Sequence, residues 1–135
     1  LTVYTHQYSY LGGAHGSTYV KYDNIDTQTG NIIKEQELFK QDYKNILAGL
    51  IQEKVKYRNS SKNKDEYIAL LIEINEIEPN GNFYLNKDSI VYVYNQYEIA
   101  PYVQGIVEIA IPYNEIKPII NPLYSQIIEK TLNTQ

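Results

Sequence analysis

A length of 135 residues with 43% hydrophobic content suits one folded domain, 1–135, and is too apolar for a disordered segment. A net charge of −4 and a pI near 5.1 lack the basic face that a general nucleic-acid binder needs. Cysteine is absent, which excludes a disulfide framework and any thiolate metal site.

Met is also absent, so Leu1 is expected to follow a processing site or an upstream cut, with a signal or lipid anchor removed before it. No run of about 18 apolar residues occurs, so no membrane-spanning segment is expected in this chain. The aromatic balance is unusual: 15 Tyr, 2 Phe and no Trp. Tyrosine suits a half-buried sheet face, with its ring packed and its hydroxyl wet, and it is enriched at interfaces.

The first element is a strand from Val3 to Tyr10, where Tyr4, His6, Tyr8 and Tyr10 alternate with Thr5, Gln7 and Ser9. Gly12-Gly13-Ala14-His15-Gly16 interrupts it, and three glycines in so short a stretch call for positive φ or close backbone approach. A second strand from Ser17 to Asp23 completes a hairpin. Asp26 to Asn31 reads as a turn with Gly30 left-handed. A short third strand is expected from Asn31 to Lys34, and a single helical turn from Glu35 to Phe39.

Asp42 is placed as the N-cap of an amphipathic helix whose apolar residues are Ile46, Leu47, Leu50, Ile51 and Val55. Lys54, Lys56 and Arg58 fall in its last turn, where cations suit the helix dipole. Asn59 to Asp65 is a solvated loop. Glu66 to Ile77 is predicted as a second helix on Tyr67, Leu70, Leu71 and Ile74, although Ile68 and Ile72 spoil the face. Pro79-Asn80-Gly81 breaks the chain.

Strands are predicted at Asn82 to Leu85, Ser89 to Tyr94 and Gly105 to Ile111, the middle one central because both of its faces are apolar. A short element broken by Pro118 and Pro122 follows, then a helix from Leu123 to Leu132 presenting Leu123, Ile127, Ile128 and Leu132. The resulting expectation is an α+β fold: a mainly antiparallel sheet of about six strands against two or three helices, in the order βββ-αα-βββ-α.

Two stretches stand out as candidate sites. Gly12, Gly13, Ala14, His15 and Gly16 form no P-loop, because no helix and no Lys-Ser/Thr pair follow. The reading of this stretch as structure is a glycine turn with His15 bonded to the backbone; the functional reading is ligand or partner contact. Tyr97, Glu98 and Tyr102, within Tyr97-Glu98-Ile99-Ala100-Pro101-Tyr102, form the second candidate, whose plainer alternative is a packed loop with Glu98 accepting backbone hydrogen bonds. Catalysis would need His15 beside Glu98 or Asp23 within hydrogen-bond reach. A metal site would need His6, His15 and a carboxylate to meet, and nothing in their spacing requires it. Neither Asp23 nor Asp26 fits an EF-hand. No catalytic residue, metal or cofactor is therefore assigned. A third alternative is a structural accessory domain, which an exposed apolar patch near Leu1 or the terminal helix would favour.

Read together, Tyr10-Leu11-Gly12-Gly13-Ala14-His15-Gly16, Tyr22-Asp23, Leu38-Phe39, Phe83-Tyr84-Leu85, the Tyr97 to Tyr102 stretch and Ile111-Pro112-Tyr113 resemble a bacterial envelope domain family. That family includes the lysozyme-binding domain of the anti-sigma factor RsiV and a non-catalytic region of some peptidoglycan deacetylases. The resemblance covers about Tyr4 to Ile120. It implies an α+β fold, a periplasmic or cell-surface location and no catalysis by this domain. The partners it implies are lysozyme, another envelope protein or cell-wall glycan.

Overall fold

The computed structural model describes residues 1–133. Its centre is an antiparallel three-stranded sheet in the order β3-β4-β5, formed by Phe83–Leu85, Ser89–Tyr94 and Val107–Pro112. Every residue of β4 is buried, as its two apolar faces predict. In register, Tyr92 faces Phe83 on one side and Ile109 on the other.

Helix α2 (Tyr43–Ser60) covers this sheet and contacts β5. Its buried residues Tyr43, Leu47, Ile51 and Val55 recur every fourth position, which places them on one stripe. Ile46, expected on that stripe, is 54% exposed. Asp42 is the N-cap as predicted, but its φ of 61° is left-handed and its side chain makes no capping hydrogen bond. Lys54 in the last turns pairs instead with Glu115 at 2.6 Å. Short helices α1 (Glu35–Leu38) and α3 (Tyr113–Ile116) and the terminal α4 (Pro122–Asn133) flank the core. Ile128 is buried and Leu123 is 81% exposed; the side chains of Ile127 and Leu132 lie outside the described residues.

Strands β1 (Thr2–Ser9) and β2 (Ser17–Asn24) form the predicted hairpin, paired over eight positions. The described residues thus hold five strands in two sheets rather than about six in one. The expected strand at Asn31 to Lys34 contributes only an isolated bridge, Ile25 to Ile32. The helix expected from Glu66 to Ile77 is also absent: that segment has 3-10 turns at Lys64–Glu66 and Ile74–Glu76 with irregular chain between. Four of its residues are β-branched Ile, which lose rotamer freedom in a helix. Its amides find distant acceptors instead. Ile68 N donates to Asn59 Oδ1 at 2.8 Å, Ala69 N to Gln104 Oε1 at 3.1 Å and Leu71 N to Ile99 O at 2.8 Å. Among the described residues, no helix is long and apolar enough to cross a membrane.

The hairpin docks on the central sheet through side-chain amides in place of a backbone ladder. Thr18 N donates to Gln96 Oε1 (3.0 Å), Val20 N to Asn95 Oδ1 (2.7 Å) and Tyr22 N to Asn82 Oδ1 (2.9 Å). Val20 O accepts from both Asn95 Nδ2 and Asn82 Nδ2, each at 2.9 Å, and Asn24 Nδ2 donates to Phe83 O at 2.8 Å. A carboxamide carries one acceptor and two donors, so each Asn imitates a strand neighbour. Asn95→Ala is expected to cost about 2 kcal/mol, because it strands the Val20 amide at a buried site. Amide exchange should then quicken at Thr18, Val20 and Tyr22 while the β4 amides keep their protection. Unchanged exchange in the hairpin would mean that the amides do not hold it.

Candidate functional site

The hairpin turn and the loop after β4 come together. In the turn, Gly12 and Gly13 have φ of 92° and 102°, values that only glycine adopts freely. Tyr10 donates its hydroxyl to Gly13 O at 3.0 Å and steadies the turn. Gly16 is buried, and a Cβ there would collide with the Tyr8 ring, so this glycine serves close approach.

The second loop is fixed from several sides. Ile99 and Ala100 are buried and anchor it. Glu98 accepts from Asn95 N through Oε1 (3.0 Å) and from Asn80 Nδ2 through Oε2 (2.9 Å). Tyr97 has a left-handed φ of 69° and donates its amide to Ala100 O at 3.1 Å. Such a backbone costs a non-glycine residue about 1–3 kcal/mol and persists only where its surroundings over-determine it. Pro101 then leads into a 3-10 turn, Tyr102–Gln104. With Ile99 and Ala100 turned inward, Tyr97 is left 58% exposed and Tyr102 half-buried.

The exposed imidazole of His15 stacks on Tyr102, with centroids 3.7 Å apart and planes 15° from parallel. Tyr97 tilts against Tyr102 at 6.1 Å and 34°. His15 Nδ1 lies 3.1 Å from Gly16 O, the backbone contact expected of a turn histidine. Leu11 and Val103, 98% and 89% exposed, lie on these same two loops. Neither segment, 10–16 or 95–105, contains Lys or Arg, and Glu98 is their one formal charge.

Two separately read motifs thus contribute to one aromatic surface. Of the candidate residues, His15, Tyr97 and Tyr102 form its face. Gly12, Gly13, Ala14 and Gly16 shape the turn beneath, and Glu98 staples the second loop. Val103 went unread in the sequence, although an apolar residue in a loop just before Gly105 is a usable signal. The carboxylates named as partners for His15 are engaged elsewhere: Glu98 as described, and Asp23 with Lys21 at 3.1 Å. Among the described residues, no three His, Asp or Glu are placed to hold a metal ion.

Fold and surface define a small α+β domain with an aromatic cluster, His15, Tyr97 and Tyr102, on two of its loops. The chain belongs to the DUF3298 family, described as proteins of unknown function, whose pattern matches residues 36–114. It is 31% identical over 133 residues to the peptidoglycan-N-acetylmuramic acid deacetylase PdaC of Bacillus subtilis, covering 94% of this chain and 27% of that protein. A crystal structure of a DUF3298 member from Bacteroides fragilis matches with a TM-score of 0.83 and 29% identity, over 98% of this chain and 52% of that one. A second, from Pseudomonas aeruginosa, matches with a TM-score of 0.69 and 19% identity over 90% of this chain and 55% of that one, and shares the fold. The chain therefore spans about half the length of these structures and 27% of the deacetylase.

Proposed function

We propose that the domain is a non-catalytic binding module of a bacterial envelope protein, acting on the outer side of the cytoplasmic membrane. Its binding face is the surface built by His15, Tyr97 and Tyr102. The observation that carries this reading is the His15–Tyr102 stack, which joins two loops far apart in sequence on an exposed aromatic surface. Scaffolded loops are the usual carriers of binding, and Tyr is enriched at protein interfaces. The exposed aliphatic side chains of Leu11 and Val103 favour a protein over a glycan, because they offer a partner apolar area rather than hydrogen bonds. Likeness to a peptidoglycan deacetylase supports a place at the cell wall.

A cationic wall-active protein such as lysozyme is the partner of best fit, since the chain carries −4 and the two loops carry no cation. Calorimetric titration with C-type lysozyme, at low and at moderate salt, tests this. Binding of about micromolar affinity that weakens with salt supports the reading. No heat with lysozyme, but heat with soluble peptidoglycan fragments, would replace the protein partner with wall glycan.

A further inference from the structure

We propose that the free edge of β1 is a self-pairing surface, which joins two copies of this chain through antiparallel β1–β1 contact about a two-fold axis at His6. This is separate from the loop surface described above and does not depend on it.

The edge is identified by the hydrogen bonds of its neighbour. On β2, the amides of Thr18, Val20 and Tyr22 point away from β1, toward Gln96, Asn95 and Asn82. Their partners in register are Tyr8, His6 and Tyr4. In an antiparallel pair, residues facing each other share one hydrogen-bonding direction and neighbouring pairs take the opposite one. Tyr4, His6 and Tyr8 therefore turn their N–H and C=O groups outward. None of these groups has a backbone partner among the described residues.

Natural sheets protect such an edge with lysine, proline, a bulge or a short strand. β1 has none of these. It is eight residues long, holds register with β2 at every position, and its sequence TVYTHQYS carries no Lys, Arg, Asp, Glu, Pro or Gly. An edge of that kind is built to be covered.

The pattern of the strand selects a second copy as the occupant. Within the outward residues, which begin at Thr2, the run Tyr4-His6-Tyr8 is a palindrome about His6. An antiparallel copy would set His6 opposite His6 and Tyr4 opposite Tyr8, with about two main-chain hydrogen bonds for each facing pair. The aromatic rings supply a second observation. Tyr84, Tyr22 and Tyr4 form a row across β3, β2 and β1, with centroids 4.8 Å and 5.7 Å apart, and the row stops at the exposed Tyr4. Tyr8 of a second copy would extend it, making a cross-strand aromatic pair. Although each chain carries −4, the edge itself is formally uncharged, so two copies meet there without like-charge contact.

Sedimentation of the purified protein across a concentration series tests the proposal. A reversible monomer–dimer equilibrium is expected, with a dissociation constant of about 10–100 μM, because one strand pair makes a small interface. His6→Pro should weaken it at least about 10-fold: proline removes an amide that points outward, so the β1–β2 hydrogen bonds stay intact. His6→Lys, which sets two cations opposite each other, should do the same if the proline variant folds poorly. A protein that remains monomeric at every concentration overturns the proposal. So does a dimer that both folded variants leave unchanged.

Discussion

Glu35→Ala is expected to remove about 4 kcal/mol of stability, a large share of the margin of a domain this size. Glu35 is buried where α1, α2 and β4 meet. Its Oε1 accepts from the Tyr92 hydroxyl at 2.7 Å and from Gly81 N at 3.2 Å, and its Oε2 accepts from the Tyr43 hydroxyl at 2.7 Å. Tyr92 has no exposed surface, so its hydroxyl cannot turn to water when the carboxylate is lost. Bonds to a charged acceptor are worth about 1.5–3 kcal/mol each, and stranded donors add their desolvation cost. The midpoint of thermal unfolding should fall by about 10–20 °C. Glu35→Gln should recover part of the loss, because a carboxamide keeps one acceptor for these donors. If the alanine variant melts within a few degrees of the parent, the carboxylate does not organise the core.

Alkali is the second large lever. Tyr43, Tyr92, Tyr94 and Tyr113 are all held well above the ordinary tyrosine range, in each case chiefly by burial. Glu35 adds to the shifts of Tyr43 and Tyr92 through hydrogen bond and charge, Glu98 and Glu35 raise Tyr94, and Asp88 raises Tyr113. A raised pKa means that the folded state prefers the protonated phenol. Its stabilising effect is complete below the unfolded value of about 10 and is lost as pH climbs from there toward the folded values. Each of the four therefore withdraws stability as pH climbs above about 10, and all four act in the same direction. Urea midpoints are expected to be flat up to about pH 9 and to collapse near pH 11, with tyrosinate absorbance rising in the same step. A midpoint that holds through pH 11 would contradict this reading of the core.

Legibility in the sequence followed local periodicity. The glycine-linked hairpin, the stripe through Leu47, Ile51 and Val55, and the doubly apolar strand Ser89–Tyr94 all rest on local periodicity, and all appear in the structure. The failures lie where backbone amides are taken by acceptors outside any helix or strand ladder. Asn31 to Lys34 has strand composition, but Ile33 N is taken by Asn24 O and a single bridge forms. Glu66 to Ile77 has apolar residues near helical spacing, yet its amides bond to Asn59, Gln104 and Ile99. Asn82 opens a predicted strand and Asn95 follows another, and only the fold shows their side chains standing in for a strand neighbour.

The site divides in the same way. Both loops were readable from glycine, proline and aromatic content. Their meeting was not, since His15 and Tyr102 are joined by tertiary docking of the hairpin. Glu98 was weighed both as a loop staple and as a site residue, and its two hydrogen bonds place it as the staple. Nothing local marks Glu35 in its one-turn helix, because burial of this carboxylate depends on Tyr92, distant in sequence.

The most direct test of the binding surface is titration of C-type lysozyme into the parent protein and into Tyr102→Ala. Tyr102 is half-buried on a loop that the bonds of Glu98 and Tyr97 hold without it, so the variant should melt close to the parent. The parent is expected to bind and the variant to bind at least about 10-fold more weakly, as loss of a central aromatic anchor requires. A parent that does not bind would contradict lysozyme as the partner, and a folded variant that binds equally well would contradict the assignment of this surface.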